Sequence, residues 1–466
     1  MSKKKSELEY SARNCWDVYA STADRKAVDA RAEAYMRFLS TCKTERETVE
    51  HLLDAAKRAG FSETLSPKST AYARAQRGKT LLLARRGKRP LSEGFRLIGA
   101  HVDTPRIDLK QHPLYEDSDL GLMKTHYYGG IRKYQWMARE LALHGVVVKK
   151  DGTLVNIVVG EAPTDPVLTI TDLLPHLAQK QVEQKVGDAF DAEKLNAVVG
   201  HEPAINKKDA GDDTKAKGRV KRRVLELLHA RYGITEADLF SAELQLVPAG
   251  PARSVGLDGS MIGGYGHDDR SCVFAAFEAL MEEKTPEHTQ LVLFWDKEEI
   301  GSEGATGAQS LFFEYALEEI IEAWSPGTRL SQVFERGMAI SADVNAAVDP
   351  DHLDVFEKMN AAYMGYGPCF NKFTGHRGKV GANDAHPEFI AFLRNILDEA
   401  GVPWQMAELG KVDLGGGGTV AKFLAVYGMD VIDMGPAVLS MHSPFEVLSK
   451  VDMHATVMAF RAFLKS

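Results

Sequence analysis

Two adjacent carboxylates, Glu298 and Glu299, lie where the apolar run of residues 291–295 ends and a glycine-rich stretch begins. Neighbouring carboxylates repel each other, and at the end of a buried strand they also lose solvation. A fold keeps such a pair most readily when a cation compensates the charge or when chemistry requires it. Taken alone, the pair is explained more simply as a turn with two solvated glutamates, so other parts of the sequence must decide.

Four further polar motifs lie beside predicted elements, three of them directly after an apolar run. They are His101-Val102-Asp103, Asp343-Val344-Asn345, His442-Ser443-Pro444 and, at a predicted helix start, Gly266-His267-Asp268-Asp269. Each has a structural explanation of its own, such as a hydrogen-bonded histidine, an Asx-turn or an N-cap. In open α/β sheets, however, ligands gather outside the carboxyl ends of strands. Two histidines and several carboxylates at such ends together predict a metal site.

The ligand types indicate the chemistry of that site. Imidazole and carboxylate suit zinc, cobalt or manganese, and the lack of nearby cysteine argues against a structural zinc knot. The ligands exceed the needs of one four-coordinate ion, and a shared carboxylate can hold two ions about 3.5–4 Å apart. Such a pair would activate a bridging water, and a carboxylate outside the ligand set would take its proton. Glu298 and Glu299 can supply one ligand and one general base, in either order. Asp103, two residues past His101 on an extended chain, can brace that imidazole.

Composition excludes several other classes of protein. The chain has 466 residues, of which 44% are hydrophobic and 26% charged, and its net charge of -8 argues against a nucleic-acid partner. No apolar run approaches the roughly 18 residues of a membrane helix, and the charged N-terminus has no signal-peptide core. The cysteines are widely spaced and form no CxxC motif, which fits a reducing compartment. We therefore expect a cytoplasmic protein with no membrane and no nucleic-acid partner.

Hydrophobic periodicity predicts the elements that position the motifs. Helices are predicted at 26–39, 44–59, 269–281, 308–323, 386–400 and 451–463, and strands at 80–84, 95–100, 291–295, 337–341, 429–434 and 437–441. Thr44 and Glu47 form a capping-box pattern at the start of the second helix. The alternation of helix and strand after residue 265 predicts an α/β fold with a central, mostly parallel sheet flanked by helices.

The middle of the chain has a different character. Asp151-Gly152 lies between two apolar runs, which is a strong hairpin signal, and no helix separates these strands. We therefore expect a β-rich domain over 111–249, inserted between the two parts of the α/β domain at 1–110 and 250–466. Residues 201–224 are polar and charged and are predicted to form a mobile surface loop.

Several of these motifs, with their neighbours, resemble the aspartyl aminopeptidase family of dinuclear metallo-aminopeptidases. The resemblance rests on His101-Val102-Asp103-Thr104-Pro105, Asp268-Asp269-Arg270, Glu298-Glu299-Ile300-Gly301-Ser302, Ser341-Ala342-Asp343 and Met441-His442-Ser443, in the family's order over nearly the whole chain. It implies a zinc-exopeptidase-like fold and removal of N-terminal residues from peptides. It also implies two divalent metal ions per subunit, most readily zinc, with cobalt or manganese as alternatives.

The resemblance also assigns a role to each motif residue. It implies that the metal ligands are His101, Asp268, Glu299, Asp343 and His442, with one histidine on each ion. Asp268 would bridge the two ions, although Asp269 could do so by spacing alone. Glu298 would be the general base, and Asp103 would orient His101.

Oligomeric state and substrate follow from the resemblance alone. The family's middle segment is a dimerisation domain, and dimers assemble into dodecamers. His176, in Leu174-Pro175-His176-Leu177-Ala178, would contact substrate or an oxyanion in a neighbouring subunit, or else be a surface histidine. Lys372 would face an acidic substrate side chain, or else be an ordinary surface lysine. The glycine run 415–418 would bring its backbone close to the substrate.

Other functions remain open at this point. Some family members prefer neutral N-terminal residues such as leucine, and Arg270 departs from the eukaryotic pattern. A metal-dependent carboxypeptidase or deacylase would use the same water activation. A catalytically silent assembly protein on this fold would be expected to have lost a ligand or the base, and none is lost.

Overall fold

The computed structural model describes residues 8–205 and 218–466. Internal contacts divide the chain into two compact units. The first, the α/β unit, contains the chain up to Asp103 together with residues 252–441 and 446–466. The second, the β unit, contains residues 104–251 and the short segment 442–445.

The described residues include twelve α-helices, of which α4–α6 belong to the β unit. The helices are α1 (Cys15–Val18), α2 (Thr22–Thr41), α3 (Glu45–Arg58), α4 (Gln179–Val182), α5 (Val186–Ala189), α6 (Arg219–Tyr232), α7 (His267–Glu282), α8 (Phe312–Trp324), α9 (Leu330–Glu335), α10 (Pro387–Glu399), α11 (Ala421–Ala425) and α12 (Lys450–Lys465). The six predicted helices are confirmed, with ends shifted by a few residues. The side chain of Thr44 caps α3 in the predicted capping box with Glu47.

The strands of the described residues form four sheets. They are β1 (Ala71–Gln76), β2 (Thr80–Arg85), β3 (Phe95–His101), β4 (Arg106–Asp117), β5 (Leu120–Tyr128), β6 (Leu141–Val148), β7 (Leu154–Val159), β8 (Thr169–Ile170), β9 (Ala197–Gly200), β10 (Ala242–Pro248), β11 (Arg253–Val255), β12 (Met261–Gly264), β13 (Thr289–Trp295), β14 (Met338–Ser341), β15 (Asn345–Ala346), β16 (Cys369–Asn371), β17 (Gly375–His376), β18 (Gln405–Met406), β19 (Gly416–Gly417), β20 (Asp430–Gly435), β21 (Ala437–Leu439) and β22 (Glu446–Ser449).

The main sheet of the α/β unit is mixed. Its eight strands run in the order β1-β2-β13-β3-β14-β20-β16-β18. The neighbours β13, β3, β14 and β20 are parallel, whereas the β1–β2, β2–β13 and β20–β16 pairings are antiparallel. The predicted parallel arrangement therefore describes the four central strands, whereas the outer pairings are of both kinds, since β16 and β18 are parallel to each other. The parallel centre brings several strand carboxyl ends to one side.

Helices cover both faces of this sheet. Along β3, Ile98 belongs to one apolar cluster and Leu97 to another, as the two-residue period of a strand requires. Helices α2, α3, α7, α10 and α12 pack on the Ile98 side, and α8, α9 and α11 pack on the Leu97 side. A strand buried on both faces needs continuous apolar sequence, and every residue of β3 and β13 is buried.

One predicted strand lies in a different sheet. The run at residues 437–441 contains β21, which belongs to a five-stranded sheet in the order β11-β12-β22-β21-β15. Pro436 separates β20 of the main sheet from β21, and β21 pairs with β15 and β22 instead. The chain that leads to His442 is therefore not a strand of the parallel centre.

The β unit contains one seven-stranded antiparallel sheet, in the order β7-β6-β10-β4-β5-β9-β8. Strands β6 and β7 form the predicted hairpin, and Gly152 has the positive φ of 85° that its turn requires. Helix α6 packs on β5 and β9 through the buried Val220 and Val224.

The predicted surface loop at 201–224 is correct only in part of its length. Residues 206–217 lie outside the described residues. Residues 219–224 begin helix α6, so the loop prediction is wrong there. The buried Val220 and Val224, four residues apart, supply an apolar stripe that the surrounding lysines and arginines obscured. Among the described residues, no helix has both the length and the hydropathy needed to span a bilayer.

Candidate active site

The site in the α/β unit begins at His101, the last residue of β3. The residue is 1% exposed and pairs in register with Trp295, which ends β13. Its Nδ1 lies 3.0 Å from the carbonyl oxygen of Asp103. Because a carbonyl oxygen can only accept a hydrogen bond, Nδ1 carries the proton. In the neutral imidazole Nε2 then has a free lone pair. Nε2 points at carboxylates: Asp268 Oδ1 is 3.1 Å away and Asp343 Oδ1 is 3.8 Å away.

Asp103 joins His101 to the glutamate doublet. Its carboxylate is fully buried, and Oδ1 lies 3.4 Å from Nδ1 of His101. Oδ1 also accepts a hydrogen bond from the backbone N–H of Glu298, and Oδ2 accepts one from that of Glu299, both at 3.1 Å. One carboxylate thus fixes an imidazole and two consecutive peptide groups. Hydrogen bonds to an ionised acceptor are among the stronger ones in proteins.

A tight turn positions the doublet itself. After β13 the backbone of Lys297 adopts a positive φ of 73°, and a short 3-10 turn follows over Glu298–Ile300. The base of the turn is fastened at Asp296, whose carboxylate accepts a hydrogen bond from the Thr306 hydroxyl at 2.8 Å. The carboxylate of Glu298 reaches back to the histidine, with Oε2 4.0 Å from Nε2 of His101.

The two aspartates at the start of α7 have non-helical backbone angles and point in different directions. The carboxylate of Asp268 faces His101, and its backbone N–H donates to Glu446 Oε2 at 3.1 Å. The carboxylate of Asp269 accepts from the backbone N–H of His101 at 3.3 Å. Behind them, His267 is held between the Tyr35 hydroxyl at 2.8 Å and a backbone carbonyl at 3.1 Å. The structure thus gives the two aspartates different surroundings, which spacing could not distinguish.

Electrostatics in the cluster favours protonation when no cation is present. Burial raises the pKa of Glu298 to about 8, and burial also raises the pKa of Asp343 above its usual value. Burial opposes the charged form of His101, but contacts with Asp103, Asp268 and Asp343 outweigh it and hold the pKa of the imidazole well above its ordinary value. The raised pKa values show that the positive groups of the protein do not fully compensate the negative charge of the carboxylates around His101.

The residues fit a divalent cation. One ligand atom each from His101, Asp268 and Asp343 lies within 4.8 Å of the other two, and the same holds for His101, Glu298 and Glu299. Imidazole and carboxylate together suit zinc, and a cation here would offset the repulsion that otherwise raises the carboxylate pKa values.

The other predicted residues belong to other segments of the chain. His442 belongs to the β unit, where Nδ1 donates to the carbonyl oxygen of Gly130 at 3.0 Å, a contact that sets the tautomer of the imidazole. His176 is exposed in a short 3-10 turn of the β unit. Lys372 follows β16 in the α/β unit, and its Nζ lies 4.0 Å from Asp384 Oδ1.

Comparison with known proteins identifies the family. The family model described as aminopeptidase I zinc metalloprotease (M18) matches residues 38–464. The chain belongs to the M18 aminopeptidase family. The predicted family resemblance is therefore confirmed, and the chain is a metallo-aminopeptidase, a hydrolase of peptide bonds.

Individual relatives cover nearly the whole chain. The protein named "Probable M18 family aminopeptidase 1" in Clostridium acetobutylicum is 47% identical over 465 residues, which is 97% of this chain and 98% of the relative. The crystal structure of the M18-family aminopeptidase from Thermotoga maritima has a TM-score of 0.91 at 44% identity and covers 98% of this chain and 100% of that one. The mApe1 dodecamer of S. cerevisiae has a TM-score of 0.76 at 21% identity, covers 94% and 97% of the two chains, and shares the fold.

Sequence reasoning missed one residue of the site and one contact. Glu446 is fully buried and holds the N–H of Asp268, yet in the sequence it is one glutamate in an amphipathic strand. A glutamate four residues after His442, at a position that a strand would bury, was the available signal. The second contact of Asp103, to the glutamate doublet, depends on the pairing of β3 with β13 and leaves no mark in local sequence.

Proposed function

We propose that this M18 aminopeptidase hydrolyses the first peptide bond of peptides, with a preference for acidic N-terminal residues, by a two-ion mechanism in which Glu298 is the general base. One observation carries the mechanism: the carboxylate of Asp103 fixes His101 and the peptide groups of Glu298 and Glu299 at once. A ligand histidine, a ligand carboxylate and a base then keep constant relative positions, as a proton transfer at a metal centre requires.

We propose that two divalent ions, most readily zinc, bind here. His101, Asp268 and Asp343 would hold one ion, and Asp268 would also serve the other ion. Glu299 and His442 would complete the second set. Glu446, whose carboxylate accepts a hydrogen bond from the Asp268 N–H, follows His442 by four residues in the sequence. Zinc bound here supplies Lewis acidity, which lowers the pKa of water and polarises a carbonyl oxygen.

Glu298 is the proposed proton carrier. Its backbone is fixed by Asp103, and its side chain is 15% exposed, so a water molecule or a substrate can reach the carboxylate. Glu298 accepts the proton of the attacking water and returns it to the leaving amine nitrogen. Burial raises the pKa of Glu298, which favours uptake of a proton by this carboxylate, and the charge of His101 opposes that rise.

Lys372 is the proposed partner of an acidic substrate side chain. Its side chain is 42% exposed and is therefore open to a ligand. The contact with Asp384 favours a second candidate, a preference for neutral residues such as leucine, because a lysine already faced by a carboxylate attracts a second one less strongly. Lys379 also contacts Asp384, at 3.2 Å, and its charge offsets this carboxylate. We favour the acidic preference for that reason.

We further propose that the β unit forms the dimer contact and that dimers assemble into a dodecamer. Five apolar side chains of one β-unit segment are between 46% and 77% exposed: Leu173, Leu174, Leu177, Val182 and Val186. Exposed apolar residues concentrated in this way fit a surface covered by a second copy. His176 lies in the same segment and would then contact substrate in the neighbouring subunit. The dodecamer of the yeast relative supports this assembly.

We also propose a cytoplasmic location. All four cysteines are buried free thiols, as expected in a reducing compartment.

A substrate panel tests the proposed reaction. The zinc-loaded protein is assayed on peptides that differ only in the first residue, either glutamate or leucine, and on the same peptides with an acetylated N-terminus. We expect cleavage of the free peptides, faster for glutamate, and none of the acetylated ones. Activity that survives acetylation would instead indicate a carboxypeptidase or a deacylase. No activity after reconstitution with zinc, cobalt or manganese would indicate a silent assembly protein.

A further inference from the structure

Asp433 lies between two strands that lead to the proposed site. It belongs to β20 and is 2% exposed. On one side it is the register partner of Ser341 at the end of β14, two residues before Asp343. On the other side it pairs with Asn371 at the end of β16, one residue before Lys372. In the sheet, Asp433 thus lies between the strand that leads to Asp343, a proposed metal ligand, and the strand that leads to Lys372, the proposed specificity residue.

The side chain of Asp433 also holds a third element. Its Oδ1 accepts a hydrogen bond of 2.6 Å from the hydroxyl of Thr419, the residue that directly follows the glycine run 415–418. Within the glycine run, β19 pairs with β17, which belongs to the loop 372–385 that begins with Lys372 and is called the lysine loop below. The glycine run and the lysine loop thus form one small sheet. The glycine run and the lysine loop are therefore connected directly to each other and, through Thr419, to Asp433.

The contact between the loops leaves no space for side chains. Gly416 has a positive φ of 117°, and a Cβ there would collide with the carbonyl oxygen of Gly375. The lysine loop is closed at its base, where the Ala385 N–H donates to the carbonyl oxygen of Lys372 at 2.7 Å. Two loops in such close contact shift together, so a displacement of the glycine run also displaces the loop that carries Lys372.

A second contact fixes the base of the lysine loop. The side-chain amide of Asn345, two residues after Asp343, donates to the side-chain oxygen of Asn371 at 2.6 Å. Both residues are buried, at 1% and 7% exposure. The start of the lysine loop is thus attached to Asn345, in the segment that follows Asp343. The paired part of the loop is attached to Asp433 through the glycine run and Thr419.

We infer that the Thr419–Asp433 contact is a positioning contact for substrate specificity, which holds the glycine run and Lys372 at a fixed distance from the metal ligands. The inference rests on the proposed function, because it assumes that Lys372 receives an acidic side chain. Thr419 and Asp433 act through the two loops and not on the reacting atoms.

The test removes the contact from the Thr419 side, which leaves the buried carboxylate in place. Thr419→Val keeps the shape of the side chain and removes its hydroxyl, and Thr419→Ala is a second variant in case the first disturbs folding. Thr419→Ser restores the hydroxyl. The hydroxyl also accepts from the Ala421 N–H at 3.3 Å, so the readout must separate positioning from helix stability. Thr328→Val, in the connection between α8 and α9, removes a hydroxyl bonded only locally to Ser325 and is the matched control.

The measured quantity is the ratio of kcat/KM for a peptide with N-terminal glutamate to that for the same peptide with N-terminal leucine. Zinc content is measured on each sample. We expect Thr419→Val and Thr419→Ala to lower the ratio by about tenfold, chiefly through a higher KM for the glutamate peptide, because a buried hydrogen bond to the Asp433 side chain is lost. Zinc content stays at the wild-type value, Thr419→Ser recovers the ratio, and Thr328→Val retains it.

The outcomes separate the inference from the proposed function. A wild-type ratio near one would overturn the acidic preference, and this inference with it, before any variant is made. A clear wild-type preference that both Thr419→Val and Thr419→Ala retain would overturn the inference alone. A loss of zinc in these variants, in parallel with the loss of selectivity, would also overturn it, because Thr419 would then support the metal ligands and not Lys372.

Discussion

The sharpest structural prediction concerns Asp103→Asn. The wild-type carboxylate accepts two backbone N–H groups, from Glu298 and Glu299, each at 3.1 Å. An asparagine has one oxygen and one NH₂ group, so one of the two backbone donors would face another donor. The variant therefore loses one charge-assisted hydrogen bond and strands a buried N–H at the base of the site.

The magnitude follows from these two losses. A hydrogen bond to a charged group contributes about 1.5–3 kcal/mol, and a stranded buried donor costs about 1–3 kcal/mol. We expect the free energy of unfolding of the zinc-loaded protein to fall by about 3–5 kcal/mol. The substitution also removes one negative charge from an acidic cluster, which relieves repulsion when no cation is bound. The loss should therefore be smaller in the metal-free protein than in the zinc-loaded one.

Two assays check this prediction. Denaturant unfolding is measured with and without zinc, and kcat/KM is measured on a peptide with a free N-terminus. Displacement of Glu298 should lower kcat/KM by about tenfold to a hundredfold, since each tenfold corresponds to 1.4 kcal/mol. Asp151→Asn is the control, because Asn-Gly suits the exposed β6–β7 turn as well as Asp-Gly does. An Asp103→Asn protein with wild-type stability and kcat/KM would refute the role given to this carboxylate.

Three further predictions concern stability. Burial, with a smaller effect of Arg31, lowers the pKa of His454 to about 4, whereas the pKa of a histidine in the unfolded chain is about 6.5. Because the unfolded chain binds the proton first, the free energy of unfolding should fall by up to about 3 kcal/mol as the pH decreases from 6.5 to 4. Denaturant unfolding at both pH values should show a smaller loss in His454→Gln. Gly99→Ala places a methyl group against the Trp295 ring and should cost about 1–3 kcal/mol in denaturant unfolding, whereas an unchanged midpoint would contradict the packing of β3 against β13. Removal of zinc with a chelator should lower Tm, and zinc should restore it, because binding at a thousandfold excess over Kd adds about 4 kcal/mol; a Tm that ignores chelation would contradict a zinc site among these carboxylates.

Local patterns in the sequence predicted local structure well. The Thr44–Glu47 capping box and the Asp151-Gly152 hairpin depend on residues a few positions apart, and both are confirmed. The strand that delivers His101 was also predicted correctly, because strands buried on both faces have continuous apolar sequence.

Long-range pairing was less accessible. The strand before His442 looks like the other apolar runs, yet it pairs with β22 in a separate sheet. Helix α6 was mistaken for a loop, since its two buried valines are outnumbered by charged residues. The partners of Asp103 and the role of Glu446 depend on which strands are adjacent, and no single-sequence pattern encodes that adjacency.

The central claim is the division of work within the glutamate doublet. The most direct measurement determines zinc content and kcat for Glu298→Gln and Glu299→Gln side by side. We predict that Glu298→Gln retains zinc and loses nearly all turnover, because an amide keeps the shape of the side chain but cannot accept the proton. Glu299→Gln should lose zinc at the same free metal concentration. A Glu298→Gln enzyme with near wild-type kcat, or one that loses zinc while Glu299→Gln retains it, would contradict the account.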